Sequence, residues 1–337
     1  MTATTPSALA TGSQASWRRW LRRHGWTFGV WILFIALIAY YATLIPKFGS
    51  FQVASIVNNG SPLVFLAAAQ AVIVIAGGID LGVGGMLVLT SVTAARFMED
   101  QPFGATIMIA LLIIAAAVAI NAVVGWVIDR SKVPDIVITL GSLYFFQGLA
   151  LAMLPNPGGG TSEGFRWIFT GSKSGIGSNP WPVMVLITIT ILALGWWMGK
   201  THSGLSLYAV GSNKTAAYLS GIRAARVKII SYAVGGGLAA MAGLANTAIA
   251  GRGNANIVGG NLTLKSVAAI VLGGVALTGG IGSVIAVVPA GLILFFLNPI
   301  LSAMGIDPNR AQVIQGVLIV LVMMVTGLIE WRRRRRS

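Results

Sequence analysis

The sequence predicts an all-α, polytopic membrane protein with about ten transmembrane helices. Three observations lead there. Of 337 residues, 56% are hydrophobic and 9% charged, against roughly 25% charged in a soluble domain, and the mean hydropathy is +0.84. Several apolar runs reach the ~20 residues needed to cross a ~30 Å hydrocarbon core. In lipid each backbone amide must be satisfied within its own segment, so those runs are expected to be helices. The basic residues also distribute as crossing segments require: alternating the spans from an inside N-terminus puts 16 of the 23 Lys and Arg inside and 7 outside, the asymmetry of the positive-inside rule.

Residues 1–25 are predicted to be a disordered cytoplasmic tail, small and polar over 1–16, with Arg18, Arg19, Arg22 and Arg23 before the first apolar run. That run, about 26–45, is long and lacks a small-residue cleavage site, so it is read as a retained helix rather than a signal peptide. Further spans are expected near 61–79, 83–98, 105–128, 136–154, 181–199, 229–249, 265–280, 283–301 and 312–329. The run Asn58-Asn59-Gly60-Ser61-Pro62 is expected to break any helix passing through it. Residues 26–330 constitute one transmembrane domain, and 331–337 a basic cytoplasmic tail. Both termini fall inside, which requires an even number of spans: ten, or eight with a re-entrant Gly-rich hairpin. Two connections are long, 155–180 outside and 200–228 inside.

Composition also excludes chemistry. There is no cysteine, hence no thiolate, disulfide or Cys-based metal site. His24 and His202 lie apart in basic segments, so no metal is expected. The formal charge of +15 resides in segments flanking the spans, which points to membrane lipid and not to nucleic acid. The stretch Gly211-Ser212-Asn213-Lys214-Thr215 lacks the Gly-Lys step of a phosphate-cradling loop. No nucleophile, base and orienter set is present. No catalytic residue and no cofactor is therefore expected on this chain, and any ATP would be used by a partner. Of the eight acidic residues, only Asp80 sits deep in an apolar context. One carboxylate is thin support for an ion-driven carrier, which stays as the alternative.

Three motifs stand out. The first is Ile73-Val74-Ile75-Ala76-Gly77-Gly78-Ile79-Asp80-Leu81-Gly82-Val83-Gly84-Gly85. The second is Leu207-Tyr208-Ala209-Val210-Gly211-Ser212-Asn213-Lys214-Thr215-Ala216-Ala217-Tyr218-Leu219-Ser220-Gly221-Ile222. The third is Ala268-Ala269-Ile270-Val271-Leu272-Gly273-Gly274, followed by Leu277-Thr278-Gly279-Gly280-Ile281-Gly282. In the first, glycines flank a single acid and permit a tight turn or close helix packing. Asp80 either shapes the inner end of a pathway or caps the N-terminus of the next span. In the second, Lys214 to Leu219 is expected to form about two helical turns, capped by Asn213 and stopped by Gly221. Ala216, Ala217 and Ser220 would then offer a low face to a soluble partner, or the helix would simply lie on the membrane. The third echoes the first at an offset of 196, pairing Gly77-Gly78 with Gly273-Gly274, and the two hairpins are candidates for a shared inner gate. Gln70, Asn121, Gln147, Asn246 and Asn298 are read as helix-to-helix glue, or for some of them as lining of a wet pathway.

Together these motifs resemble the ribose-type permease family of bacterial sugar ABC importers, which is related to the branched-chain-amino-acid permeases. The resemblance covers about 26–330. The chain differs at Gly82 and Gly85, where the family has serine, and in having Lys265 where an acidic residue is usual nearby. The resemblance implies a non-catalytic permease subunit importing a monosaccharide or sugar-like solute across the bacterial inner membrane. It implies as partners a second permease subunit, a cytoplasmic ATP-binding subunit and a periplasmic solute-binding protein. It also marks Gly211, Asn213, Ala216, Ala217, Ser220 and Gly221 as the ATPase-coupling segment. Gly78, Asp80, Gly82, Gly84, Gly273, Gly274 and Gly280 are the pathway or gate candidates.

Overall fold

The computed structural model describes residues 12–173, 179–257, 259–307, 309–318, 320–321 and 324; residues 1–11 and the basic tail at 331–337 lie outside it. Among the described residues there is no named strand, only an isolated bridge between Gly158 and Gly253. Twelve helices are named: α1 (Gly12–Leu44), α2 (Ser50–Ile75), α3 (Val83–Met98), α4 (Phe103–Ser131), α5 (Asp135–Met153), α6 (Glu163–Thr170), α7 (Trp181–Lys200), α8 (His202–Ser212), α9 (Lys214–Leu219), α10 (Ala224–Ala250), α11 (Gly259–Leu272) and α12 (Val284–Ala303). Seven of them (α1, α2, α4, α5, α7, α10 and α12) are long and apolar enough to cross a membrane. The all-α, polytopic class is thus as the composition predicts. Residues 309–318 are helical, and much of the tenth expected span lies outside the described residues.

The bundle is organised around α2, whose apolar window is 94% buried, compared with 11% for α1 and 22% for α4 and α5. In a membrane an apolar residue gains little by facing inward, so the peripheral helices can present theirs outward to lipid. The centre is filled by α2, α10, α12 and α3. Close approach there rests on missing side chains. A Cβ on Gly60 would meet Leu292 of α12, one on Gly235 would meet Ile73 of α2, and one on Gly243 would meet Thr90 of α3.

The Asn58–Pro62 run does not break the helix: α2 passes through it, with Pro62 inside. Pro62 has no N–H to give to the carbonyl of Asn58 four residues earlier. The Ser61 hydroxyl donates to that carbonyl at 2.7 Å instead. The side chain beside the proline thus repairs the ladder, as buried backbone in a membrane requires.

The expected span at 265–280 is also corrected. The helix is α11, at 259–272, and 273–283 is a turn region. Its 14 residues extend only about 21 Å, too short to cross. A Cβ on Gly259 would meet the backbone of Gly84, and one on Gly85 would meet Leu143 of α5. Leu143 lies eight residues beyond Asp135, about 12 Å along α5. So α11 starts well inside the bundle, and the non-helical residues 251–257 reach down to it. Ala255 there is buried, and Gln147 of α5 donates to the Ile257 carbonyl at 3.4 Å. Irregular backbone at that depth is tolerated where protein covers it, as at the buried Gly253 and Ala255.

The long connections carry structure. Within 155–180, α6 is capped by Ser162 and buries Phe165 and Phe169. Within 200–228 lie α8 and α9. Of the amides, Asn246 donates to Ser91 across helices, whereas Asn121 bonds back to Ala117 of its own helix.

Candidate coupling and gate site

The second motif folds as a helical elbow. Thr201 caps α8, its side chain accepting from the Gly204 amide. At Asn213 the backbone turns extended, and the side chain accepts from the Ala216 amide at 2.9 Å to start α9. The end of α9 is a glycine stop: Gly221 has φ +82°. The Ile222 amide donates to Ala217 at 3.0 Å and the Gly221 amide to Tyr218 at 2.9 Å, the paired bonds of a Schellman motif. Ala216 and Ser220 are exposed as expected, but Ala217 is buried at 4% exposure and belongs to the core. The largest exposed side chains are Tyr218 and Leu219, at 72% and 80% exposure, and Lys214, Thr215 and Ala216 are exposed with them. The open face therefore carries two bulky side chains beside a lysine and a threonine. A helix of six residues lying on the bundle must turn one side inward, and Ala217 lies on that side.

Both glycine hairpins meet this elbow. α2 and α11 end alike: Gly77 donates to Val74 and Gly78 to Ile73, while Gly274 donates to Val271 and Val275 to Ile270. Gly77 and Gly274 take φ +81° and +80°, so the structural offset between the hairpins is 197, one more than the glycine pairs suggest. The Gly280 amide donates to the Ile75 carbonyl at 2.9 Å, tying the second hairpin to the end of α2. Gly211 sits where a Cβ would overlap the Ile75 carbonyl, and one on Gly280, at φ +73°, would overlap Ser212. Three segments separated by more than 60 residues converge on one node with no room for a methyl group.

Gly273 backs α11 onto α12 at Val287 and Ala286. The other gate candidates lie along the start of α3. A Cβ on Gly84 would overlap Gly259 and Thr263, and one on Gly82 would stand 3.2 Å from Ser142 and 3.3 Å from the Thr139 carbonyl. Asp80 is 1% exposed. Its Oδ1 accepts from the Gly82 amide at 2.6 Å, and Oδ2 has no partner. Gly82 itself holds the cap position of α3, so Asp80 braces the entry to that helix from two residues before it.

The residues that match a known family run from 52 to 323, and the description is branched-chain amino acid transport system, permease component. The chain belongs to this family. It is 30% identical over 302 residues to the ribose import permease protein RbsC of Escherichia coli K12, covering 87% of this chain and 91% of that one. It is 32% identical over 330 residues to the probable ABC transporter permease protein YphD of the same strain, covering 96% of each. The fructose import permease protein FruG of Bifidobacterium longum is 27% identical over 281 residues, 81% of this chain and 82% of that one. No solved structure matches. The protein is a multi-pass ABC importer permease, and its family is a transport component rather than a catalyst.

The permease has a second cluster that its motifs do not announce. Lys228 of α10 pairs with Asp135, the first residue of α5, at 2.8 Å. The Tyr232 hydroxyl lies 3.0 Å from the Ile79 carbonyl and 3.2 Å from Asp135 Oδ2. Gly78 makes room for it: a Cβ there would stand 3.2 Å from Asp135 Oδ2 and 3.3 Å from the Tyr232 ring. The one available sequence signal was the pattern Lys228-x-x-x-Tyr232, which puts both on one helix face. Nothing in the sequence placed Asp135 opposite.

Proposed function

We propose that this permease, paired with a second permease subunit, forms the pathway by which a bacterium imports a monosaccharide or sugar-like solute. ATP hydrolysis takes place on a separate cytoplasmic ATP-binding subunit, and a periplasmic binding protein delivers the solute. The chain lies in the inner membrane with both termini and residues 200–228 in the cytoplasm and residues 155–180 outside. The observation that carries this reading is the convergence of α8 and α9 on both glycine hairpins at Gly211, Ile75 and Gly280. An elbow seated there moves the ends of α2 and α11 whenever its outer face is moved. That outer face presents the bulky Tyr218 and Leu219 uncovered, as a docking knob for a soluble partner should. Sugar permeases among the relatives support the solute class.

The test is uptake of a panel of monosaccharides into vesicles holding the full complex, with ATP inside and an ionophore present. Uptake that persists without an ion gradient and stops without ATP is expected. Uptake that collapses with the gradient while ATP remains would establish an ion-coupled carrier instead.

A further inference from the structure

The geometry points to the Asp135–Lys228–Tyr232 cluster as the tie that carries movement of the coupling elbow into α5 and the α2–α3 turn. This inference rests on the coupling role of α9 proposed above. Only Ile222 and Arg223 separate the glycine stop of α9 from the first turn of α10. The Ile222 amide is itself bonded to Ala217 inside α9, so the joint is short and fixed. Lys228 is the fifth residue of α10 and Tyr232 follows one turn later, on the same face.

Both side chains are spent on one carboxylate. Lys228 takes Asp135 Oδ1 and Tyr232 approaches Oδ2. This is the one ion pair found among the described residues, and the two side chains are 23% and 19% exposed. Asp135 opens α5, where the exposed amides of a helix N-terminus favour an anion. Thr139 of α5 bonds to the Asp135 carbonyl at 2.9 Å, which braces that first turn. From the other side, Gly125 of α4 lets the α10 backbone at Lys228 and Ile229 lie close.

Two features make the cluster a transmitting element and not just a fastening. First, α5 is among the least buried of the spanning helices and packs chiefly against α3. The cluster is its polar connection to the helix that the elbow drives. Second, the Tyr232 hydroxyl has one proton and two acceptors, the Ile79 carbonyl at 3.0 Å and Asp135 Oδ2 at 3.2 Å. It can satisfy one at a time, so a small shift of α10 trades the α2–α3 turn for α5. Packed elements of this kind have discrete arrangements rather than a continuum.

The experiment uses the cysteine-free chain in its complex with the ATP-binding partner. A single reporter, Tyr144→Cys, is placed on the exposed face of α5, where Tyr144 is 68% exposed. The mobility of a nitroxide label attached there in detergent, read by EPR, is compared between the nucleotide-free complex and the complex trapped with ATP and vanadate. A control reporter at Trp196→Cys sits on α7. The ATP-dependent change at 144 should shrink about tenfold in Lys228→Met and Asp135→Asn, a size usual for coupling between sites. It should survive in Lys228→Arg, which keeps a cation facing Asp135.

A change at 144 that persists in Lys228→Met overturns the proposal, as does its absence from the unmodified complex. So does a loss in Lys228→Met that comes with failure to assemble, because the pair is then structural only. Leu219→Asp separates the underlying reading: if the response survives that change, the coupling role of α9 fails whatever the cluster does.

Discussion

The Gly280 amide donates to the Ile75 carbonyl at 2.9 Å, and Gly211 lies against the same carbonyl. One oxygen at the end of the central helix therefore serves as the meeting point of the second hairpin and the elbow. A backbone oxygen cannot yield as a flexible side chain can, so the absence of a Cβ at 211 is a geometric requirement.

Gly211→Ala should therefore destabilise the permease by about 1–3 kcal/mol, the cost of forcing an extra group into close packing. Gly199→Ala, near the end of α7 with nothing within 4 Å, is the control. It should be neutral or stabilising by up to about 1 kcal/mol, because alanine loses less backbone freedom than glycine in a helix. Thermal unfolding of the detergent-solubilised protein reads both. Equal effects of the two substitutions would remove the node from the account.

The fold was largely legible because membrane helices follow from composition and length alone. What the sequence misstated were places where one side chain reverses a general rule. Pro62 predicts a break, and the Ser61 hydroxyl cancels it. The run near 265–280 is apolar enough to span, yet Gly273 and Gly274 end the helix at Leu272. The motif positions in the site do come together. Their faces were harder to read, because periodicity over six residues does not decide which side of α9 is covered, and Ala217 proved to be the inner one. Asp135 was legible only as one of the seven acids outside a deep apolar context. Its pairing with Lys228 spans 93 positions and leaves no local pattern.

The repair in α2 is open to a double-mutant cycle. Ser61 and Asn58 are both fully buried. Ser61→Ala should leave the Asn58 carbonyl without its donor at a cost of about 1–3 kcal/mol. In a Pro62→Ala background the restored amide reaches the same carbonyl, so the cost of Ser61→Ala should fall below about 1 kcal/mol. Additive effects in the cycle would mean that the hydroxyl is not substituting for the missing amide.

Orientation is testable because the chain contains no cysteine. Leu219 is 80% and Trp167 47% exposed, at opposite ends of the proposed topology. An impermeant maleimide added to intact cells should label Trp167→Cys and spare Leu219→Cys. Inverted vesicles stripped of the ATP-binding partner should give the reverse. Labelling of Leu219→Cys from outside would invert the whole arrangement.

The final prediction separates the two faces of α9. Ala217 is 4% exposed and sits in the core, while the next two residues are among the freest side chains of the bundle. Ala217→Trp has to displace buried neighbours, so it should lower the stability of the permease itself by about 1–3 kcal/mol. Leu219→Asp places a charge where solvent already reaches, and should leave the unfolding temperature of the isolated permease unchanged. In the complex the order reverses. A charge buried without a counter-ion in a docked interface costs several kcal/mol, so Leu219→Asp should reduce co-purification of the ATP-binding subunit at least tenfold, equivalent to about 1.4 kcal/mol. Unfolding of the permease alone and recovery of the complex, measured side by side for both variants, give the crossed pattern. If Leu219→Asp co-purifies normally, the apolar knob is not the contact, and α9 lies against the bilayer surface without an ATPase partner.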